Sequence, residues 1–273
     1  MRDCLLPAFP LIPASDFFPS SFMKPHSCFR LLTLCSIFSF PFALPGKAEI
    51  DSTTKDKVPP IAYVQGMIWK RLDLADFTLN GTIRSDKTKK RYPITLLTHG
   101  HELVYEFQDQ PLQIRVVLNP GAFTVEKRAS SNDQWTPVTN ADRAHSILDT
   151  DITYEDLGID FVNWDDVTPL GTDSIKTLNA FVFDAKPGPN DHSRFAKVRY
   201  WVSSQYWCFL RIDGLNGKDQ TVKRVEAQDV IKIGKYNVFK EMKVATMAPD
   251  RNDIAISTTF IDISDGHEGS GLK

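Results

Sequence analysis

The feature that most constrains the fold of this chain is a series of short segments in which apolar and polar residues alternate. One of them carries its apolar residues at every second position, Leu112, Ile114, Val116 and Leu118. A period of two is typical of half-buried strands, and strands separated by turn residues at about ten-residue spacing indicate an antiparallel meander. No alternation of strands with long helices is visible, so the pattern predicts a mainly β (α+β) fold.

The pattern also predicts where individual elements lie. Ile61, Val64, Ile68 and Leu72 have helical spacing and predict a short amphipathic helix over 61–75. Asn140 can cap a second helix that ends at Leu148, and Thr153 with Asp156 resembles a capping box. In the second half of the chain, strands are predicted at 178–185, 195–203, 206–213, 220–228, 236–248 and 253–263.

Length and composition fit one domain with a substantial core. The chain has 273 residues, of which 42% are hydrophobic and 24% charged, and its formal net charge is -2. This composition excludes a disordered chain, and the lack of basic excess argues against nucleic acid as a partner. We expect a flexible lead-in at 49–60, a single domain at 61–264 and a flexible tail at 265–273.

The first 48 residues have the features of processing sequence. Residues 31–44 carry no charge, Lys24 and Arg30 precede them, and Gly46-Lys47-Ala48 follows them. A basic region, a short apolar stretch and a small-x-small end predict a signal peptide cleaved after Ala48, with a buried core helix as the alternative. Residues 1–22 contain acids and four prolines, so we expect translation to begin at Met23 and the mature protein to be periplasmic.

Motifs that carry chemistry are scarce in the predicted mature chain. His101-Glu102 begins a zinc-protease pattern, but Tyr105 stands where the second histidine ligand belongs. His99 and His101 are either a weak metal site or a solvated turn, and Cys208, in an apolar strand, is expected to be a buried thiol. The acidic stretch at 149–160 lacks the spacing of a calcium loop and is better explained by helix capping and solvation. No catalytic residue, metal or cofactor is predicted.

One segment carries a family resemblance. Residues 148–157, LDTDITYEDL, resemble the (T/S)DfsYEDL signature of the outer membrane lipoprotein-sorting family, the LolA-like proteins often encoded near RND/MMPL-type exporters. The segments at 195–202, 223–226 and 239–242 are similar to further strands of that family. The resemblance covers about 140–265 well and 61–128 only by pattern.

The resemblance implies a fold and a type of site. The expected fold is a strongly curved antiparallel sheet that forms an unclosed LolA/LolB-like barrel with short covering helices, and the protein is expected not to be an enzyme. The signature, with Asp151, Tyr154, Glu155, Asp156 and Leu157, is expected to form part of a lid. Acyl chains are expected in an apolar cavity whose candidate lining residues are Leu103, Tyr105, Phe107, Ile114, Val116, Phe181, Phe183, Trp201, Leu210 and Met242.

Two functions follow from the resemblance. The first is a periplasmic carrier or chaperone that sorts lipoproteins or lipids toward the outer membrane. The second is a sensory or regulatory module of the same fold that binds lipoproteins or lipids and signals to a protein partner. For the carrier, the expected partners are lipoprotein or lipid cargo and an inner-membrane transporter, either an ABC-type releasing complex or an RND-type exporter. Membrane contact is expected to be transient and the protein monomeric.

The processing prediction can be checked on the protein purified from its native envelope. Mass spectrometry of the intact chain should place the mature N-terminus at Glu49, directly after the small-x-small end. Recovery of a chain that still begins at Met1 would contradict both the cleavage and the internal start.

Overall fold

The computed structural model of the protein describes residues 12–13, 50–119, 121–251 and 253–272. Apart from residues 12–13, the predicted signal peptide lies outside them. The helical elements are α1 (Ile61–Arg71), α2 (Tyr154–Leu157) and 3-10 turns at Ser52–Lys57 and Asp160–Asn163. The strands are β1 (Ile12–Pro13), β2 (Leu74–Ser85), β3 (Arg91–Gly100), β4 (Glu102–Phe107), β5 (Gln113–Asn119), β6 (Ala122–Arg128), β7 (Thr136–Pro137), β8 (Asp166–Ile175), β9 (Leu178–Lys186), β10 (Lys197–Ser203), β11 (Phe209–Leu215), β12 (Thr221–Ile233), β13 (Tyr236–Met247) and β14 (Ala255–Glu268).

Thirteen of these strands form one continuous antiparallel sheet. Its order is β7-β6-β5-β4-β3-β2-β14-β13-β12-β11-β10-β9-β8, and β1 pairs separately with β13. Two meanders therefore meet where β2 pairs with β14, for example Ile83 opposite Ile261. Within the described residues the outer strands β7 and β8 do not pair with each other, so the sheet is not closed. The predicted antiparallel, unclosed β architecture is confirmed.

Strand register sets one apolar face of the sheet. In β4 and β5, Leu103 lies opposite Val116 and Tyr105 opposite Ile114, so all four side chains point to the same side. Each of these four residues is almost fully buried. We call this side the inner face, because it packs on the segment that connects β7 with β8.

Helix α1 forms where the 3.6-residue period predicts it. Val64 and Ile68, one turn apart, are its buried residues. Gln65 donates a 2.7 Å hydrogen bond to the carbonyl of Val162, and the ring of Trp69 stacks on Phe123 at 5.3 Å. The helix ends at Arg71, earlier than predicted, because β2 begins at Leu74. Helix α1 thus packs against both β6 and the connecting segment.

Two segments that the sequence is expected to leave flexible make hydrogen bonds to the sheet. Before α1, the Asp51 N–H donates a 2.8 Å hydrogen bond to the carbonyl of Thr172 on β8, and Ser52–Lys57 forms a 3-10 turn. After β14, the N–H groups of Gly269 and Ser270 donate to Asp76. The unpaired β8 edge and the start of β2 supply these backbone partners, and composition carries no signal for such long-range pairing.

The helix predicted to run from Asn140 to Leu148 is absent. Turns occupy this stretch, and the Asp142 N–H bonds the carbonyl of Thr139 at 3.0 Å. Leu148 has a φ of 52°, which a helix does not allow, and the Ile147 N–H donates to the carbonyl of Ile152 at 2.7 Å. A local hairpin-like pairing replaces the helix.

The contact between the lead-in and β8 depends on Gly171. Gly171 has a φ of 136°, and a Cβ there would lie 2.2 Å from the carbonyl oxygen of Asp51. Gly171→Ala should cost about 2 kcal/mol or more and release residues 51–57. Urea unfolding and hydrogen exchange of residues 51–57 measure the two effects.

Gly66→Ala is the matched control. A Cβ at Gly66 in α1 meets no atom within 4 Å, so the change should stabilise the protein by up to about 1 kcal/mol. A Gly171→Ala variant with wild-type stability and unchanged exchange at 51–57 would contradict this account of the edge.

Candidate functional site

The inner face is covered by the segment that joins the two outer strands. We call residues 147–164 the plug. The ring of Phe161 lies 5.2 Å from that of Tyr200 and 5.5 Å from that of Phe209. The buried apolar side chains of the plug are Ile147, Ile152, Leu157, Ile159, Phe161, Val162 and Trp164. The plug therefore supplies the apolar layer that packs against the sheet.

The YEDL part of the plug forms the short helix α2. The Thr153 N–H donates to Asp156 Oδ2 at 2.8 Å, and the Asp156 N–H donates to Thr153 Oγ1 at 3.4 Å. This reciprocal pair confirms the predicted capping box. Tyr154 and Leu157 are buried, whereas Glu155 accepts hydrogen bonds from Ser193 and Arg194. The signature residues thus fix the shape of the plug and attach it to the loop before β10.

Asp151 attaches the plug to two central strands. Its carboxylate accepts hydrogen bonds from Thr246 Oγ1 at 2.7 Å, from Thr259 Oγ1 at 3.0 Å and from the Ser257 hydroxyl. Its N–H donates to Thr259 Oγ1 at 2.8 Å. Asp151 is nine-tenths buried, and these contacts to β13 and β14 satisfy its carboxylate there.

A buried ion pair adds a second attachment. Lys223 on β12 places its Nζ 2.9 Å from Asp156 Oδ2 and contacts the carbonyl oxygen of Asp151. Arg194 Nη2 lies 2.9 Å from the other oxygen of Asp156. We call Asp151, Asp156, Lys223 and Arg194 the anchor cluster. It holds the plug in one register on the sheet.

Electrostatics at Asp156 favour the charged form. Burial alone would raise the pKa of its carboxyl, but Lys223 and Arg194 outweigh burial and hold the pKa below its ordinary value. A carboxyl with a depressed pKa stabilises the folded state above its unfolded pKa, and that contribution is lost as pH falls through the folded pKa. The contribution of Asp156 should therefore persist until the pH falls below the ordinary carboxyl range.

Little space is left between the plug and strands β2, β4, β5 and β14. A cavity of about 10 Å³ remains there, lined by Ile83, Tyr105, Phe107, Ile114, Ile147, Ile152, Leu157 and Ile261. A pocket for a drug-sized ligand needs roughly 300 Å³ or more. A second cavity, of about 230 Å³, lies beside α2 and has a mixed polar and apolar lining that includes Glu155, Trp164, Phe195 and Lys223. With the plug in place, little room remains over β4 and β5, and the larger cavity lies between the plug and the inner face of β10–β12, for example at Val198 and Val225.

Most of the residues predicted from the sequence to line the cavity lie on the inner face. Phe183 lies opposite Tyr200, and their rings stack at 5.2 Å. Met242 lies opposite Ile261, which faces the plug. Strand alternation and pairing place seven of the ten on this face: Leu103, Tyr105, Phe107, Ile114, Val116, Phe183 and Met242.

The other three lie elsewhere or at its margin. Trp201 is on the opposite face, where its Nε1 donates to Asp173 at 2.8 Å and the Arg211 guanidinium lies 4.5 Å from its ring. Leu210 is left unpaired at a bulge between β10 and β11. Phe181 lies two residues before Phe183 in β9, so its side chain points to the same face. It is only partly buried, and its ring lies 5.9 Å from that of Trp207.

The sequence patterns did not identify Lys223 of the anchor cluster or the three hydroxyl residues that bond Asp151. Lys223, Thr246, Ser257 and Thr259 look like ordinary polar residues of strands. One signal was available at Lys223. It lies two residues before Val225 in β12, so both side chains point to the inner face. A lysine at an inward position needs a buried partner, which here is Asp156.

Comparison with solved structures identifies the fold. A putative outer membrane lipoprotein-sorting protein domain from Vibrio parahaemolyticus superposes with a TM-score of 0.63 at 15% identity, over 80% of this chain and 95% of that one. A LolA superfamily protein from Nitrosomonas europaea gives a TM-score of 0.54 at 14% identity, over 79% and 96%. The chain has a LolA-like fold. This confirms the architecture that the sequence resemblance implied.

Other comparisons are consistent with this fold. A DUF1329 family protein from Desulfovibrio piger superposes with a TM-score of 0.60 at 16% identity, over 79% of this chain and 96% of that one. A family model described as "Uncharacterized protein" matches residues 130–265, the part that contains the plug and β8–β14. No curated protein matches the chain.

No helix among the described residues has the length and apolar character needed to cross a bilayer. The same part of the chain holds no group of histidine, cysteine and carboxylate side chains suited to a metal ion. The candidate site described above consists of an apolar face, its plug and the anchor cluster.

The anchor cluster makes a direct prediction about stability. Lys223→Met leaves Asp156 buried with Arg194 as its remaining cation, and it should cost about 3–5 kcal/mol. Adding Asp156→Asn to this variant removes the buried carboxylate charge that has lost Lys223. The double variant should recover more than half of the lost free energy of unfolding. Urea unfolding of the single and double variants measures both values.

Lys240→Met, which breaks the exposed 3.0 Å pair with Asp229, is the control and should cost less than about 1 kcal/mol. Equal losses for Lys223→Met and Lys240→Met would show that the buried pair does not hold the plug.

Proposed function

We propose that the protein is a non-catalytic periplasmic carrier that binds the acyl chains of lipoproteins or lipids on its inner face and delivers them toward the outer membrane. One observation carries the proposal: a broad apolar sheet face is covered by a connecting segment and by helix α1 instead of by further sheet. The LolA-like fold supports it, since one similar structure is described as a lipoprotein-sorting domain. The predicted signal peptide supports the periplasmic location.

The plug occupies the place that acyl chains would take. Its isoleucine, leucine and valine side chains are aliphatic, as lipid tails are. Acyl chains that replaced them would keep the inner face dry, and each buried methylene contributes about 0.8 kcal/mol. Exchange of plug for cargo therefore removes little apolar contact from the sheet. The proposed ligand-binding residues are the seven inner-face residues that the sequence predicted.

The anchor cluster sets the cost of exchange. Its hydrogen bonds and ion pair must break when the plug leaves, while the turns at 139–146 and the residues before β8 allow the plug to move without disturbing a strand. A partner that competes for Asp151 or Asp156 would favour loading or release. An inner-membrane transporter is the partner class we propose for this step.

Photolabelling locates bound cargo directly. A fatty acid with a photoreactive group near its methyl end should label inner-face residues such as Leu103 and Val116, because the acyl chain lies against them. The labelled positions are read by tandem mass spectrometry. Val104 and Val117, their neighbours on the other side of β4 and β5, are internal controls. Label confined to Val104 and Val117, or no saturable label, would contradict the proposal.

Weakening the anchor should make loading easier. Thr246→Ala with Ser257→Ala removes two donors from the Asp151 carboxylate, and hydrogen bonds to a charged group contribute about 1.5–3 kcal/mol each. If the plug must leave before cargo binds, affinity for a fluorescent fatty acid should rise about tenfold or more. Fluorescence titration measures it.

Ser264→Ala is the matched control, since it removes a hydroxyl from β14 that bonds Asn80 and not the plug. Unchanged affinity in a folded Thr246→Ala/Ser257→Ala variant would show that plug release does not limit binding.

A further inference from the structure

One buried hydroxyl on the inner face has no partner. Tyr105 is 1% exposed, and in the part of the chain that the structure describes its Oη makes no hydrogen bond. A buried polar group left without a partner costs about 1–3 kcal/mol, so such groups are rare in native proteins. Phenylalanine would fill the same place without that cost. With the plug in place, no described protein group therefore uses the hydroxyl.

The surroundings of Tyr105 define what the hydroxyl could bind. Tyr105 lies opposite Leu96 on β3 and Ile114 on β5, and it lines the 10 Å³ cavity with side chains of the plug. All the other side chains of that lining are aliphatic or phenyl. Burial raises the pKa of Tyr105 well above its usual range, so the group is a neutral donor. An apolar site with one neutral donor and no cation suits an uncharged acceptor and disfavours a phosphate or carboxylate.

We propose that the Tyr105 hydroxyl donates a hydrogen bond to the carbonyl oxygen of an acyl ester or amide once the plug has been displaced. This inference rests on the proposed function. Acyl esters combine a hydrocarbon tail with an oxygen that only accepts hydrogen bonds, which matches the donor and the apolar lining. Tyr105 is then a specificity-determining residue that distinguishes acyl groups from plain hydrocarbon.

A matched pair of lipids tests the inference. A long-chain monoacylglycerol carries an ester carbonyl, and the alkyl glycerol ether of equal length lacks it. Wild-type protein should bind the ester about fivefold more tightly than the ether, as expected for one neutral hydrogen bond. Tyr105→Phe should abolish this preference and leave ether affinity unchanged. Its melting temperature should rise, because the unpartnered hydroxyl is gone.

Tyr92→Phe is the control variant. Tyr92 is also a buried inner-face tyrosine, but its hydroxyl donates to Asp149 at 3.4 Å. It should retain the ester preference.

If Tyr105→Phe also retains the preference, or if wild type binds ester and ether equally, the role of Tyr105 is refuted while the carrier stands. If neither lipid binds to wild type, the carrier itself is refuted and the role of Tyr105 with it. A lower melting temperature of Tyr105→Phe, with the ester preference intact, would show that the hydroxyl binds a buried water molecule and not the lipid.

Discussion

The structure depends on covering one face of an unclosed sheet. Thirteen strands in one path leave an apolar inner face that must be removed from water, and the sheet does not close on itself within the described residues. The plug meets this need and is also the covalent link between the outer strands β7 and β8. The residues that cover the inner face are thus the same residues that connect β7 to β8. Under the proposed function, the inner face is exposed by moving that segment, without separating any pair of long strands.

Polar and apolar contacts of the plug have different roles. Its isoleucine, leucine and phenylalanine side chains fill the inner face, and contacts of this kind are not directional. The anchor cluster fixes the register, because Asp151 and Asp156 meet their partners on β12, β13 and β14 in only one position. A buried ion pair adds little net stability over an apolar pair, so its contribution is mainly to position. The proposed function requires that a segment held in this way be exchanged for lipid at moderate cost.

Local patterns predicted most of the long strands, α1 and the capping box at Thr153, but not β6 or β8. They could not predict which face of a strand is inner, because a bulge or a shift of one residue reverses it. Phe183 and Trp201 came from equally convincing apolar strands and lie on opposite faces, and Leu210 lies at a bulge. Lys223 and Asp156 are far apart in sequence, so no local pattern predicts that they pair. The same holds for the ordered lead-in on β8.

The central claim is that cargo takes the place of the plug. Hydrogen exchange of residues 147–164, followed with and without a saturating long-chain fatty acid, tests it most directly. The account predicts that the ligand lowers protection of the plug amides while β3–β5 and β12–β14 keep or gain protection. Saturable binding with undiminished protection of the plug would contradict it and place the ligand elsewhere on the molecule.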